Sequence, residues 1–165
     1  MVAGIITFYW TVVFVHVLAV VAGFGPTFVY PILSRTARKK YPRSLPYVLR
    51  TMDRIGKMVI GPASFLILLT GIYLVSNGPY DFSAKFVQVA FPILIVLIPM
   101  CPLYFGRTEL KLADLAERDI AASGSDDGAV TFSSEFDALL KQLTIVIRLA
   151  NVAILVALFF MVVKP

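Results

Sequence analysis

Four polar side chains stand inside or at the edges of long apolar runs in this sequence: His16, Lys85, Arg148 and Asn151. A polar group is costly in hydrocarbon, so a polar residue within an apolar run of membrane length is a functional candidate by default. Imidazole can ligate a metal, and ammonium, guanidinium and amide groups can bind anions or hydrogen-bond a ligand. These four residues are therefore the starting set of candidate cofactor-binding residues.

His16 is the single histidine of the chain and lies in the middle of the first apolar run. It stands about 20 Å along a helix from Ala3, near the centre of a bilayer, where water does not easily reach it. Its imidazole can hydrogen-bond a neighbouring helix, or its nitrogen can ligate a metal, with haem iron the commonest partner of a lone membrane histidine. Both interpretations stay open. Gly23 and Gly25 follow on the same helix, and close helix packing is the favoured reason for them.

The other three candidates each have a structural alternative. Lys85 can reach inward from the start of the third apolar run, or its ammonium can snorkel to the headgroups. Arg148 can pair with a carboxylate such as Asp53, bind the propionates of a cofactor, or reach the membrane interface. Asn151 follows on about the same helical face and can join two helices by a hydrogen bond of about 1 kcal/mol.

The composition excludes most functions of soluble proteins. Of 165 residues, 59% are hydrophobic and 15% are charged, whereas an ordinary soluble domain is roughly 25% charged. One histidine cannot build a zinc site of several histidines, the single Cys101 excludes an intrachain disulfide, and no phosphate-binding glycine loop or serine-triad motif occurs. The net charge is +5, but the basic residues flank the apolar runs. They therefore set membrane topology, and a lipid bilayer rather than nucleic acid is the expected partner.

The apolar runs predict the elements that position the candidate residues. Spanning the hydrocarbon takes about 20 helical residues. Transmembrane helices are therefore predicted over about 4–33, 58–80, 86–106 and 139–163. Residues 1–165 should form a single transmembrane domain, an all-α integral membrane four-helix bundle. Pro26 and Pro31 should bend or end the first helix, because each lacks a backbone donor.

The two connecting loops over 34–57 and 107–138 predict the orientation. They carry most of the basic residues, whereas the turn after the second span holds Asp81 and Lys85. Cytoplasmic loops have an excess of lysine and arginine, so both loops are predicted in the cytoplasm and both termini outside. The strongly basic loops, the short chain and the lack of a recognisable transit peptide favour a multi-pass protein of a prokaryotic plasma membrane.

Two further helical segments and a polar loop are predicted on the cytoplasmic side. Residues 109–121 place apolar side chains on one face and set Asp114 four residues before Arg118, so the third helix should continue beyond the membrane. Residues 123–128 form a polar loop. Ser134 with Asp137 resembles a capping box, which would start the fourth helix before Leu139.

These residues together resemble the HemJ family of small haem-binding membrane proteins. The resemblance extends to its relatives, the copper-resistance D family and a family of uncharacterised integral membrane proteins. In the first span it rests on an aromatic pair, a histidine and a phenylalanine-proline segment: Tyr9, Trp10, His16, Phe24, Phe28, Pro31 and Leu33. In the second span it rests on Pro62 and the pair Thr70 and Gly71. Lys85 falls where that family has its lysine, and the segment from Arg148 to Asn151 is similar to the HemJ ending.

The resemblance implies a haem b bound near His16 and Lys85. His16 would be one axial ligand, and Lys85 the second ligand or a catalytic residue. Arg148 and Asn151 would be further cofactor-binding residues. HemJ itself oxidises protoporphyrinogen IX to protoporphyrin IX, so the expected function is porphyrin oxidation or electron transfer.

A cofactor-free accessory subunit is the rival hypothesis. Ala153 and Ala157 form a small-residue face on the fourth helix, and such faces let helices approach closely. This face could dock onto other membrane subunits or onto a second copy of the chain. The rival predicts stable association with partners and no response to His16→Ala.

Overall fold

The fold is a set of helices joined by short connections. The computed structural model describes residues 2–124 and 130–164, with side chains from residue 8 onward. Every regular element of that part of the chain is helical. In order these are α1 Val2–Lys40, a 3-10 turn Pro42–Ser44, α2 Leu45–Ile55, a first π segment Gly56–Ile60, α3 Gly61–Asn77, α4 Lys85–Met100, a second π segment Cys101–Gly106, α5 Arg107–Ala122 and α6 Ser134–Val163.

Four stretches of the described residues are long and apolar enough to cross a membrane: Phe8–Lys40, Pro42–Asn77, Lys85–Ala122 and Ser134–Val163. They confirm the predicted four-helix membrane bundle. Three of them continue well past the uncharged run that they contain, because amphipathic sequence continues the helix where apolar sequence ends. Residues 34–57 are accordingly mostly helical, and α1 passes through Pro26 and Pro31 to end at Lys40.

The helices pair as two hairpins. α1 packs mainly against α3, and α4 mainly against α6, while α2 and α5 pack against each other across the hairpins. The predicted close packing is confirmed at Gly23, where a Cβ would lie 3.1 Å from the Cβ of Ala63, whereas Gly25 faces open space. The first hairpin therefore depends on a glycine at one point of closest approach.

The two ends of the bundle differ in chemistry. At one end, called here the charged end, lie residues 35–57, 107–124 and 130–141. At the opposite end the Nζ of Lys164 stands 4.5 Å from the ring centroid of Tyr80. Gly78 there leaves room for the hydroxyl of Tyr9. The C-terminus, the start of α1 and the connection between α3 and α4 thus share one end.

The most deeply buried side chains lie at the charged end: Leu45, Leu49, Met52, Leu112, Phe136 and Leu143. In the spans, large apolar side chains such as Phe14 and Leu149 are exposed, as expected of surfaces that contact lipid. The bundle therefore has a core of the soluble type at one end and lipid-facing helices along the rest.

Ion pairs surround that core, and one differs from the predicted pattern. Asp114 does not pair with Arg118 four residues on; the guanidinium of Arg50 lies 2.8 Å from Asp114 and 3.0 Å from Glu117. Arg118 contacts Asp119 instead. The reason is that α2 packs alongside α5 and brings Arg50 to its acidic face.

The start of α6 lies one residue earlier than predicted. Ser133, not Ser134, is the N-cap, and its hydroxyl oxygen accepts a hydrogen bond of 3.3 Å from the backbone of Phe136. The backbone N–H of Ser133 in turn donates to Asp119 at 2.8 Å, which fixes the cap against α5. α5 ends at Ala122, where the predicted polar loop begins; residues 125–128 of that loop lie outside the described residues.

Candidate functional site

A cavity of about 250 Å³ lies between the two hairpins, where the charged end meets the spans. Its walls are mainly apolar and include Phe24, Ile60, Leu97, Phe105 and Ile154. Its polar lining comes from all sides of the bundle: Thr27, Tyr30, Asp53, Lys57, Ser64, Cys101, Glu109 and Asn151. Apolar walls with a few placed polar groups are the general make-up of sites for small molecules.

Both π segments border this cavity. A π turn takes in one extra residue and so shifts which side chains face inward, and such turns occur often at functional sites. The thiol of Cys101 donates a long hydrogen bond of 3.7 Å to the carbonyl of Gly56, which joins the two segments. At Gly106 a Cβ would lie 2.9 Å from Oδ1 of Asp53. The second segment therefore makes room for a carboxylate of the first hairpin.

Two buried carboxyl groups share one ammonium at the cavity. Asp53 is 7% exposed and Glu109 is 3% exposed. The Nζ of Lys57 donates to Oδ2 of Asp53 at 2.8 Å, whereas Oδ1 has no hydrogen-bond partner in the described structure. Glu109 makes no hydrogen bond or ion pair within the described residues. A buried carboxylate without a partner is costly, so this group needs either a proton or a cation.

Asn151 joins two helices and keeps one polar atom free. Its Nδ2 donates to the carbonyl of Thr27 at 3.2 Å. In a regular helix the N–H of residue 31 would donate to the carbonyl of Thr27, but Pro31 has no N–H. Asn151 therefore donates to this carbonyl in its place. The predicted hydrogen bond between helices is confirmed. Oδ1 of Asn151 is buried and has no partner among the described residues.

His16 makes the predicted structural hydrogen bond, with a hydroxyl group as its partner. Its Nδ1 lies 2.8 Å from Oγ1 of Thr70, whose hydroxyl donates to the carbonyl of Leu66 at 2.6 Å. From this network we assign the ring proton to Nδ1, so that Nε2 is the free nitrogen. Gly71 gives the ring space, since a Cβ there would lie 3.4 Å from Cε1 of His16.

The space around His16 does not fit a haem in this arrangement of helices. The ring borders two apolar cavities of about 40 and 50 Å³, whereas sites for drug-sized ligands have roughly 300–1,000 Å³. Met161 borders both cavities and is the other soft donor there. Within the described residues, no group of three or more histidine, cysteine or acidic side chains could hold a metal ion.

The four sequence-predicted residues are not brought together. His16 lies at the small cavities, and Asn151 lies at the large one. Lys85 is exposed at the start of α4 and borders neither. Arg148 is exposed on α6 and forms no ion pair within the described residues; the proposed partner Asp53 pairs with Lys57 instead. The arrangement suits interfacial positions for both basic side chains.

Sequence reasoning missed Asp53 and Glu109 as site residues. Asp53 follows Leu45 and Leu49 on the apolar face of α2, and Glu109 stands one turn before Ala113 on the apolar face of α5. An acidic residue on the apolar face of an amphipathic helix was the available signal. The signal is weak, because both residues lie just outside the uncharged runs, where charged side chains are common.

Four membrane-length helices around an acid-lined cavity define a multi-pass integral membrane protein of the helical-bundle class. The chain belongs to the family described as "Predicted integral membrane protein (DUF2269)", which it matches over residues 10–165. Neither the comparison with curated proteins nor that with solved structures gave a match. The family confirms membrane insertion and gives no activity or cofactor.

Proposed function

We propose that this protein binds a small amphipathic molecule in the cavity between its hairpins. The observation that carries the proposal is a space of about 250 Å³ with apolar walls and incompletely paired buried polar groups. The apolar body of the ligand would contact Phe24, Leu97 and Ile154. Its polar head would face Asp53 and Glu109. At about 250 Å³ the space lies just below the range of roughly 300–1,000 Å³ for drug-sized ligands, so the expected ligand is a smaller molecule.

The test uses a variant whose larger side chain fills the cavity, and measures which bound molecules no longer co-purify with the protein. Ala150 lines the cavity, whereas Val152, two residues on, is exposed on the outer face of α6. Ala150→Phe should abolish a small molecule that co-purifies with the wild type in gentle detergent, as measured by mass spectrometry of an extract. Val152→Phe adds a larger side chain outside the cavity and should retain it. Size-exclusion elution matched to the wild type shows that each variant is folded.

Two results would overturn this function. One is a wild type that carries no small molecule in excess of Ala150→Phe. The other is full retention of the molecule by both Ala150→Phe and Ser64→Leu, which fill the cavity from opposite walls.

A second candidate function is haem b binding with His16 as an axial ligand. It is supported by the hydrogen bond from Nδ1 to Thr70, because metal-ligating histidines commonly have their other nitrogen held in this way. The resemblance to HemJ adds Lys85 as a candidate second ligand or catalytic residue and porphyrin oxidation as the activity. The cavities beside His16 would have to open first, so this function ranks below the amphipathic ligand.

A visible spectrum separates the two candidates. Under the haem hypothesis, protein purified from cells with ample haem supply shows a Soret band and dithionite-reduced haem b bands, and His16→Ala loses them. Thr70→Val keeps His16 as the axial ligand but removes the hydrogen bond to its Nδ1. This variant should shift the absorption bands of the haem without abolishing them. A colourless wild type would exclude haem binding.

Docking onto partner subunits through small-residue faces has less support. The contact at Gly23 is taken by Ala63 of the same chain, and Ala157 lines a cavity inside the bundle. Gly23 and Ala157 therefore face neighbouring helices of the same chain. We accordingly propose that the protein acts through its own cavity, in a prokaryotic plasma membrane, and that accessory contacts would use other surfaces.

A further inference from the structure

Most hydrogen-bond donors around the large cavity are already engaged; the exceptions within the described residues are the hydroxyl of Ser64 and the remaining N–H groups of Lys57. The ammonium of Lys57 donates to Asp53, the hydroxyl of Tyr30 to the carbonyl of Met52 at 3.0 Å, and the amide of Asn151 to the carbonyl of Thr27. The hydroxyl of Thr27 and the thiol of Cys101 also donate to backbone carbonyls. A ligand whose polar group consists of hydrogen-bond acceptors would therefore have few donors to bind to in this cavity.

The acceptors at the same cavity are in excess. Oδ1 of Asp53 and Oδ1 of Asn151 are buried without a partner, and the carboxyl group of Glu109 has none within the described residues. Glu109 is only 3% exposed. Its carboxyl oxygens are nevertheless not completely covered by protein atoms. Because Glu109 also lines the cavity, its carboxyl group faces that space.

The charges show the same imbalance. Two carboxyl groups, Asp53 and Glu109, meet one ammonium, that of Lys57. The neighbouring basic residues Arg54 and Arg107 are exposed and do not line the cavity. A buried carboxylate is stabilised by a cation that also donates hydrogen bonds. Glu109 therefore needs either a proton or a positively charged donor, and an ammonium group of a ligand would supply both the charge and the N–H groups.

We propose that the ligand of this cavity carries a protonated amine as its head group, held by Glu109 with Asp53 and Asn151 beside it. This inference rests on the proposed binding function and specifies its ligand class: an apolar body with a single ammonium. Head groups made of acceptors, such as carboxylates, would lie beside two carboxyl groups, with only Ser64 and Lys57 as donors among the described residues, and should bind more weakly.

The test compares three probes that share one apolar chain: octylamine, 1-octanol and octanoate. Each is titrated into the full-length protein in nanodiscs of zwitterionic lipid, and binding is measured as the rise in the thermal midpoint. Octylamine should stabilise the wild type most. Ala150→Phe should remove that effect, which separates cavity binding from partition into lipid.

Charge-neutralising variants then locate the head group. Glu109→Gln and Asp53→Asn should each weaken octylamine binding by about tenfold or more, the loss expected for one charge-assisted hydrogen bond. Asp114→Asn is the matched control, since it removes an exposed carboxylate at the same end of the bundle outside the cavity. It should leave octylamine binding unchanged.

The outcomes separate this inference from the function beneath it. One outcome is that 1-octanol or octanoate stabilises the wild type as much as octylamine does, and that Ala150→Phe abolishes this stabilisation. The cavity would then bind ligands, but the assignment of an amine head group would be wrong. Unchanged octylamine binding in both Glu109→Gln and Asp53→Asn overturns the assignment in the same way. If no probe distinguishes the wild type from Ala150→Phe, both proposals fall.

Discussion

At His16 the chain places a half-buried polar ring in the middle of a span and satisfies one of its nitrogens through a threonine of the neighbouring helix. Thr70 is itself bonded to the carbonyl of Leu66, so a short chain of hydrogen bonds crosses from α1 to α3. Such a network is costly to interrupt, because the ring N–H would lose its acceptor in an apolar setting.

Thr70→Val tests this contact with little change of shape. We expect a loss of about 1–3 kcal/mol in the free energy of unfolding, the usual cost of leaving a buried donor unpaired. The measurement is reversible unfolding in mixed detergent micelles. Thr144→Val is the control, because the hydroxyl of Thr144 donates to the carbonyl of Leu140 in its own helix. Equal losses in the two variants would show that His16 gains nothing from Thr70.

Single residues were predictable where the sequence is chemically unusual. A lone histidine and an asparagine inside apolar runs stand out, and the structure gives both a hydrogen bond between helices. Asp53 and Glu109 did not stand out, because charged residues are common beyond the end of an apolar run. Their burial follows from helix packing at the charged end, which no single residue reveals.

At the scale of elements, the helix start at Ser133 offers a direct comparison of two adjacent serines. Ser133→Ala should lower the free energy of unfolding by about 1 kcal/mol, because the side-chain acceptor at the N-cap is lost. Ser134→Ala should change it far less, since Ser134 is exposed in the first turn. Thermal unfolding of both variants under the same conditions decides the matter. A larger loss for Ser134→Ala would return the cap to the predicted position.

The end of α3 depends on a glycine. A Cβ at Gly78 would overlap the carbonyl oxygen of Leu74 and lie 2.8 Å from the hydroxyl oxygen of Tyr9. Gly78→Ala should therefore cost roughly 1–3 kcal/mol of unfolding free energy, as overpacking does. Gly25→Ala, in open space on α1, should be neutral or slightly stabilising, since alanine favours the helix. Similar midpoints for the two variants would contradict the steric account.

The four long helices were predictable, and their internal breaks were not. An uncharged run of membrane length is a strong signal, and four apolar helical stretches are observed where four spans were predicted, although the second ends at Asn77 rather than at residue 80. The π segments Gly56–Ile60 and Cys101–Gly106 need one extra residue in a turn, which leaves no distinct mark on hydrophobic periodicity. The cavity that they border was unpredictable for the same reason.

For the whole molecule, the pairing of helices could not be predicted from composition, because lipid-facing and packing surfaces are equally apolar. The structure places the C-terminus and the connection between α3 and α4 at one end, which agrees with an even number of crossings. The orientation in the membrane remains the prediction of the basic loops.

Cysteine labelling in intact cells tests that orientation. In a Cys101→Ala background, Ser83→Cys places a thiol in the connection between α3 and α4, and Ser44→Cys places one at the charged end; both positions are exposed. A membrane-impermeant maleimide should label Ser83→Cys in intact cells and Ser44→Cys after lysis. The reverse pattern would invert the topology and place the charged end outside.

The division into two hairpins has a consequence for how the chain can be made. α1 with α3 and α4 with α6 are each complete pairs, and the packing of α2 on α5 holds the pairs together. Two separate polypeptides, residues 1–79 and 80–165, should therefore insert independently and reassociate when produced in the same cell. An affinity tag on one fragment should recover the other, and Leu49→Asp, at a fully buried position of that packing, should prevent recovery. The protein would then be a split reporter in which complementation measures contact between two membrane hairpins.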